Sequence, residues 1–141
     1  MYIFYALLSA FFAGLVTLFA KLGLKNIDST LATSLRAIIM AVFLVGVVLI
    51  TNKINIEGIK SIETKEWILI ALSGIAGALS WIFYFIALQN SKENTTQIAA
   101  LDKLSLVFVF IFSIFLLKEK LDLKVLAGVV LMTIGAILTI N

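Results

Sequence analysis

Residues 31–50 read LATSLRAIIMAVFLVGVVLI, twenty positions in which Arg36 is the one charged side chain. A helix of that length rises about 30 Å, the thickness of a bilayer's hydrocarbon core. The run does not alternate apolar with polar residues, so it does not fit a strand of a membrane barrel. Asp28, Ser29 and Thr30 stand just ahead of it as N-cap residues. The segment reads as a membrane-spanning helix.

Outward from it, apolar runs at about 2–20, 67–89, 95–117 and 124–140 bring the number of spans to five. Composition agrees, with 62% apolar residues, 13% charged residues and a mean hydropathy of +1.17. Soluble domains carry about 25% charged residues. The expected fold is an all-α membrane protein, one domain over residues 1–141. The first run has no basic leader and no cleavage site of small residues, so it is read as a retained helix and not a signal peptide. Between Thr51 and Glu66, Ile56, Ile59 and Ile62 at helical spacing predict a short helix on the membrane surface. Trp67 marks an interface and opens the third span.

The chain has no Cys and no His, which removes disulfides, thiol chemistry and the common zinc and haem ligands. Neither a metal nor a cofactor is expected. The net charge of +3 comes from loop lysines, which suit anionic lipid headgroups and form no tract that would hold nucleic acid. No pair of buried carboxylates offers acid-base chemistry, so no enzyme is expected. No nucleotide-binding motif is present to couple ATP.

Several spans are sorted by side-chain size. On the first, Ala6, Ala10, Ala13, Thr17 and Lys21 share a face, with Phe4, Leu8, Phe11 and Leu18 opposite. Small residues let helix backbones approach, whereas bulky ones meet lipid. On the third span Gly74 and Gly77 predict a close helix contact, and Trp81, Tyr84 and Phe85 continue that face as an aromatic wall. On the fifth, Gly128 and Gly135 lie seven apart on a face suited either to self-association or to packing within the chain.

The charged residues well inside the spans are Arg36 on the second and Asp102 with Lys103 on the fourth, each about two turns from the start of its helix. Charge at depth is costly unless paired or wet, so an Arg36–Asp102 ion pair is expected. The three residues either set the charge of a substrate cavity or form a structural bridge and snorkel to the interface. Trp81 and Tyr84 are candidates to stack on a solute. Gln97, Thr17 and Ser80 are candidate hydrogen-bonding groups, while Phe108 and Phe112 read as lipid-facing or packed.

The stretch Phe115-Leu116-Leu117-Lys118-Glu119-Lys120-Leu121-Asp122, followed by the fifth span with Gly128 and Gly135, resembles the EamA-type repeat of the drug/metabolite transporter superfamily. Gly74, Gly77, Trp81 and Tyr84, and the Ala20-Lys21-Leu22 end of the first span, are similar as well. The resemblance covers essentially the whole chain and implies a five-helix repeat in which Glu119 fixes the turn between the last two helices. Most family members resemble two such repeats in tandem, and this chain holds one. It also lacks the proline that the family often carries near the position of Ala100–Leu104. Small multidrug resistance relatives resemble the chain in size but carry a glutamate in their first helix. Nothing acidic lies between Tyr2 and Lys21, so proton-coupled export of cationic drugs by that route is not expected.

Six basic residues flank the spans on the N-terminal side and five, including Lys92, on the other, a balance that specifies orientation weakly. Five helices put the two ends of the repeat on opposite faces, so fused copies would be inverted repeats. Unfused copies recreate that arrangement as an antiparallel homodimer. The expected protein is a half-size secondary transporter of a small metabolite, multi-pass in a bacterial plasma membrane, working by alternating access. A parallel dimer, a heterodimer, and a non-transporting or lipid-handling accessory subunit are the competing readings.

Overall fold

The computed structural model describes residues 1–53, 56–91 and 94–140, with the side chains of Ile56 and Glu57 set aside. Ile56 of the expected surface-helix stripe, Lys92 of the charge count and two positions of the turn expected at 90–94 therefore lie outside the described side chains or residues. Among the described residues seven helices follow one another: α1 (Tyr2–Gly23), α2 (Ser29–Ile50), α3 (Ile56–Lys60), α4 (Thr64–Asn90), α5 (Thr95–Asp102), α6 (Ser105–Leu116) and α7 (Leu123–Leu138). No strand occurs among the described residues. α1, α2, α4 and the combined stretch Thr95–Leu116 are each long and apolar enough to cross a membrane, and α7 is a shorter apolar helix. Helices thus occupy the stretches of the five expected spans, four of them of membrane-crossing length, and the chain is all-helical in a way consistent with a five-helix membrane repeat. The chain divides into two compact units, Met1–Lys21 with Asn90–Asn141, and Leu22–Gln89.

In the central unit, local capping sets the helix ends. Asp28 accepts from the backbone N–H groups of Thr30 (2.9 Å) and Leu31 (3.0 Å), so α2 begins at Ser29 and not at Leu31. Its far end closes with Asn52 in the left-handed region (φ 50°). There the N–H of Asn52 donates to Leu49 O and the N–H of Lys53 to Val48 O, the paired bonds of a Schellman motif. The short α3 is the expected helix in the connector. α4 begins at Thr64, ahead of Trp67, because Glu66 Oε2 accepts from the N–H of Glu63 (3.0 Å) and caps the first turn.

The same unit has a small buried core of Leu24, Phe85 and Leu88, with Ser29 and Thr33 beside them. Gln89 pins it. Its Oε1 accepts from Ser29 N–H (3.1 Å), and its Nε2 donates to Ile27 O (2.8 Å) and Leu24 O (3.4 Å). The end of α4 is thereby tied to the start of α2, and the two helices run antiparallel from that anchor.

In the terminal unit, α7 packs against both α5 and α6. Asp122 caps α7 by accepting from Lys124 N–H (2.8 Å). The helix tightens at its end, where Thr139 and Ile140 donate to the carbonyls three residues back, so it closes at Leu138 and not Ile140. The expected fourth span differs most from its reading as one helix. At Lys103 and Leu104 the hydrogen bonds shorten to i→i−3, from Lys103 to Ala100, Leu104 to Leu101, Leu106 to Lys103 and Val107 to Leu104. This tight turn falls where the resemblance places a proline. Three residues per turn in place of 3.6 add about 20° of rotation per residue, so the faces of α6 are turned relative to where one regular helix continuing from α5 would put them.

Apolar side chains are largely exposed along these helices, among them Phe4, Phe11, Ile39, Phe43, Ile75, Phe83 and Leu131. A surface of that kind is stable against lipid or another protein, not against water.

Candidate functional site

The anchor at Gln89 sets the register of the central unit's site. Arg36 lies seven residues beyond Ser29, about 10 Å along α2, and Trp81 lies eight residues before Gln89, about 12 Å back along α4. Antiparallel helices pinned at one end therefore bring these two side chains level. The Arg36 guanidinium carbon sits 3.7 Å from the centroid of the Trp81 ring and 5.5 Å from that of Phe85. Trp81 is itself held edge-on by Tyr84 (5.7 Å, 87°) and Phe85 (5.5 Å, 88°). Phe85 is buried, while Arg36, Trp81 and Tyr84 are half-buried. The indole quadrupole offsets part of the cost of a charge in the span, about 0.5–2 kcal/mol as the site dries.

Of the residues singled out in the sequence, the structure thus brings Arg36, Trp81 and Tyr84 together. Phe85, expected on the same aromatic face but not as a solute contact, is the buried member of the group, four residues after Trp81. Gln89 was not singled out either. An amide at the end of an apolar run, facing a turn whose carbonyls need donors, is the signal that would have found it.

The terminal unit holds the remaining candidates. Asp102 Oδ2 accepts from Lys103 Nζ at 3.4 Å, and both side chains are exposed. Each expected partner of the Arg36–Asp102 pair is therefore engaged within its own unit, Arg36 by an aromatic face and Asp102 by its sequence neighbour. Gln97 accepts from the N–H of Asn94 (3.0 Å), which places its amide at the start of α5 as a cap. Thr17 is buried and donates to Ala13 O (3.1 Å). It lines a groove of about 450 Å³ in which Ala10 and Gly14 of α1 face Thr95, Thr96 and Ala99 of α5.

At the turn before α7, Lys118 takes the left-handed conformation (φ 55°) and the backbone N–H of Glu119 donates to Ser113 O (3.2 Å). Glu119 closes this turn through its amide, and its side chain is exposed. Gly74, Gly77, Gly128 and Gly135 share a different property: a Cβ added at any of them would meet no atom within 4 Å. Packing inside the chain does not require these glycines.

No solved structure matches the chain. A protein of Sinorhizobium named "Uncharacterized transporter in cobO 3'region" is 39% identical over 135 residues, covering 96% of this chain and 93% of that relative. The relative is thus also of single-repeat length. The EamA-like transporter family matches residues 1–141, and together with the five apolar helices this identifies a multi-pass membrane transporter. The chain belongs to the EamA-like transporter family.

Proposed function

We propose that the chain is one half of a secondary transporter, completed by a second, inverted copy, that carries a small metabolite by alternating access. The observation that carries this reading is the Arg36–Trp81 stack (3.7 Å), a fixed cation on an aromatic face within the spans. Such groups are expensive in a membrane and are characteristically kept where a solute or ion is handled. Trp81 and Tyr84 form the wall against which the solute stacks, and Arg36 sets the charge of the cavity. In the terminal unit, Asp102, Lys103 and Thr17 are the polar side chains offered to the solute along its path.

The glycine faces support assembly. Gly128 and Gly135 on α7, and Gly74 and Gly77 on α4, leave backbone open to a helix of another copy, as small residues do at membrane interfaces. Solute binding would bias the rocking of one copy against the other in the plasma membrane. The tight turn at Lys103–Leu104 gives the fourth span a point at which to bend. The test is uptake by proteoliposomes containing this chain alone, compared with Trp81→Ala. Saturable uptake lost in the variant supports the reading, and unchanged uptake contradicts it.

The α1–α5 groove favours a second reading, a lipid-handling accessory subunit, because its lining is mostly apolar and suits an acyl chain. Uptake by the purified chain without a second gene product decides against that reading.

A further inference from the structure

We propose that the solute carries a carboxylate and that Arg36 reads it through the donor edge of its guanidinium. The inference rests on the transport reading for its purpose but on the central unit alone for its chemistry. The Arg36 guanidinium carbon lies 3.7 Å over the Trp81 ring, the separation of a stacked guanidinium, and a guanidinium covered on its face keeps its N–H donors around its edge. Within this unit no carbonyl or carboxylate among the described residues accepts from Arg36. No side-chain nitrogen of the described residues is both buried and without a partner, so those donors lie open to an incoming group.

Charge selects the class of solute. Between residues 31 and 50 and between 67 and 90, Arg36 is the one ionisable side chain of Asp, Glu, Lys or Arg type. A single cation in a low-dielectric span neutralises a monoanion, whereas a phosphate dianion would leave uncompensated negative charge. A planar carboxylate matches the guanidinium fork with two parallel hydrogen bonds. The rings of Trp81 and Tyr84, set edge-on at 5.7 Å, then offer an apolar wall to the body of the same molecule.

The experiment uses the intact chain in phosphate-free maltoside micelles. Trp67→Phe leaves Trp81 as the sole tryptophan and hence the fluorescent reporter. Benzoate is the probe, with benzamide as its neutral isostere and inorganic phosphate as the dianion. The expected result is a saturable change in Trp81 emission with benzoate, at least about tenfold weaker with benzamide and with phosphate. Arg36→Gln should lower the apparent affinity for benzoate by about tenfold to a hundredfold, with Arg36→Lys between it and the parent. Arg36→Lys retains the charge and so keeps the test alive if Arg36→Gln fails to fold.

An equal response to benzamide, a response to phosphate as strong as to benzoate, or an Arg36→Lys protein as tight as the parent would each overturn the assignment. A lipid headgroup is the other source of oxyanion. Repeating the titration in nanodiscs containing phosphatidylglycerol separates the two: a persistent benzoate response supports the solute, and its disappearance assigns Arg36 to lipid and overturns the proposal. Benzoate binding without any uptake in proteoliposomes would sink the transport reading and leave this one. Uptake of a neutral solute without benzoate binding would do the reverse.

Discussion

The side-chain carbonyl of Gln89 accepts from the backbone N–H of Ser29 at 3.1 Å, while its amide donates to the carbonyls of Ile27 and Leu24. One side chain thus satisfies backbone groups at the turn between α1 and α2 and pins the far end of α4 to the beginning of α2. Arg36 and Trp81 meet because of this anchor.

Replacing Gln89 with Ala leaves those backbone groups without their side-chain partner. Each hydrogen bond of this kind contributes about 0.5–1.5 kcal/mol net. Gln89→Ala should lower the thermal unfolding midpoint in detergent. It should also weaken solute binding, since α2 and α4 lose their common register. A variant with parental stability and parental binding would show that the anchor is dispensable.

Trp81→Ala removes the face on which Arg36 rests. Uptake in proteoliposomes should fall sharply while membrane insertion, followed by alkaline extraction, stays at the parental level. Trp81→Phe keeps a ring of lower quadrupole strength and should recover part of the loss. Equal uptake by all three proteins would remove Trp81 from the pathway.

Lys118 holds a left-handed conformation (φ 55°) that costs a non-glycine residue about 1–2 kcal/mol. Lys118→Gly relieves that cost at some expense in chain entropy, so a net gain of about 0.5–1 kcal/mol is expected in thermal unfolding. Asn52→Gly should gain less, because Asn tolerates the same region (φ 50°). A destabilised Lys118→Gly protein would mean that the lysine side chain contributes more than its strain costs.

Gly128→Leu and Gly135→Leu should leave the single chain folded, because a Cβ at either position meets nothing within 4 Å. Both should weaken self-association, since a bulky side chain keeps helix backbones apart. Native mass measurement, with helicity by circular dichroism as the control, reads the two effects separately. Variants that remain as associated as the parent would place the interface elsewhere.

Much of the fold is legible in residues 31–50 and their counterparts, because a bilayer leaves helices as the way to satisfy backbone groups in such apolar runs. Helix ends are less so: Asp28 is legible as a cap, but Ser29 and Thr64 enter their helices two and three residues ahead of the apolar runs, where Asp28 and Glu66 satisfy the first backbone groups. The break at Lys103–Leu104 carries no proline signal, since a short i→i−3 stretch needs no special residue. At the site, the spacing of Trp81 and Tyr84 was readable on one helix, but their meeting with Arg36 depends on the Gln89 anchor, a contact sixty residues apart in sequence from Ser29. The Arg36–Asp102 expectation arose from depth alone, and depth carries no information on which helix faces which.

Whether an inverted copy completes the pathway is read from the sidedness of the C-terminal end. The chain has no cysteine, so Ile140→Cys introduces one label site, read in native membranes with a membrane-impermeant maleimide. Two opposed orientations give comparable labelling from the two faces, each reaching about half of the protein. Complete labelling from one face and none from the other would contradict an inverted copy.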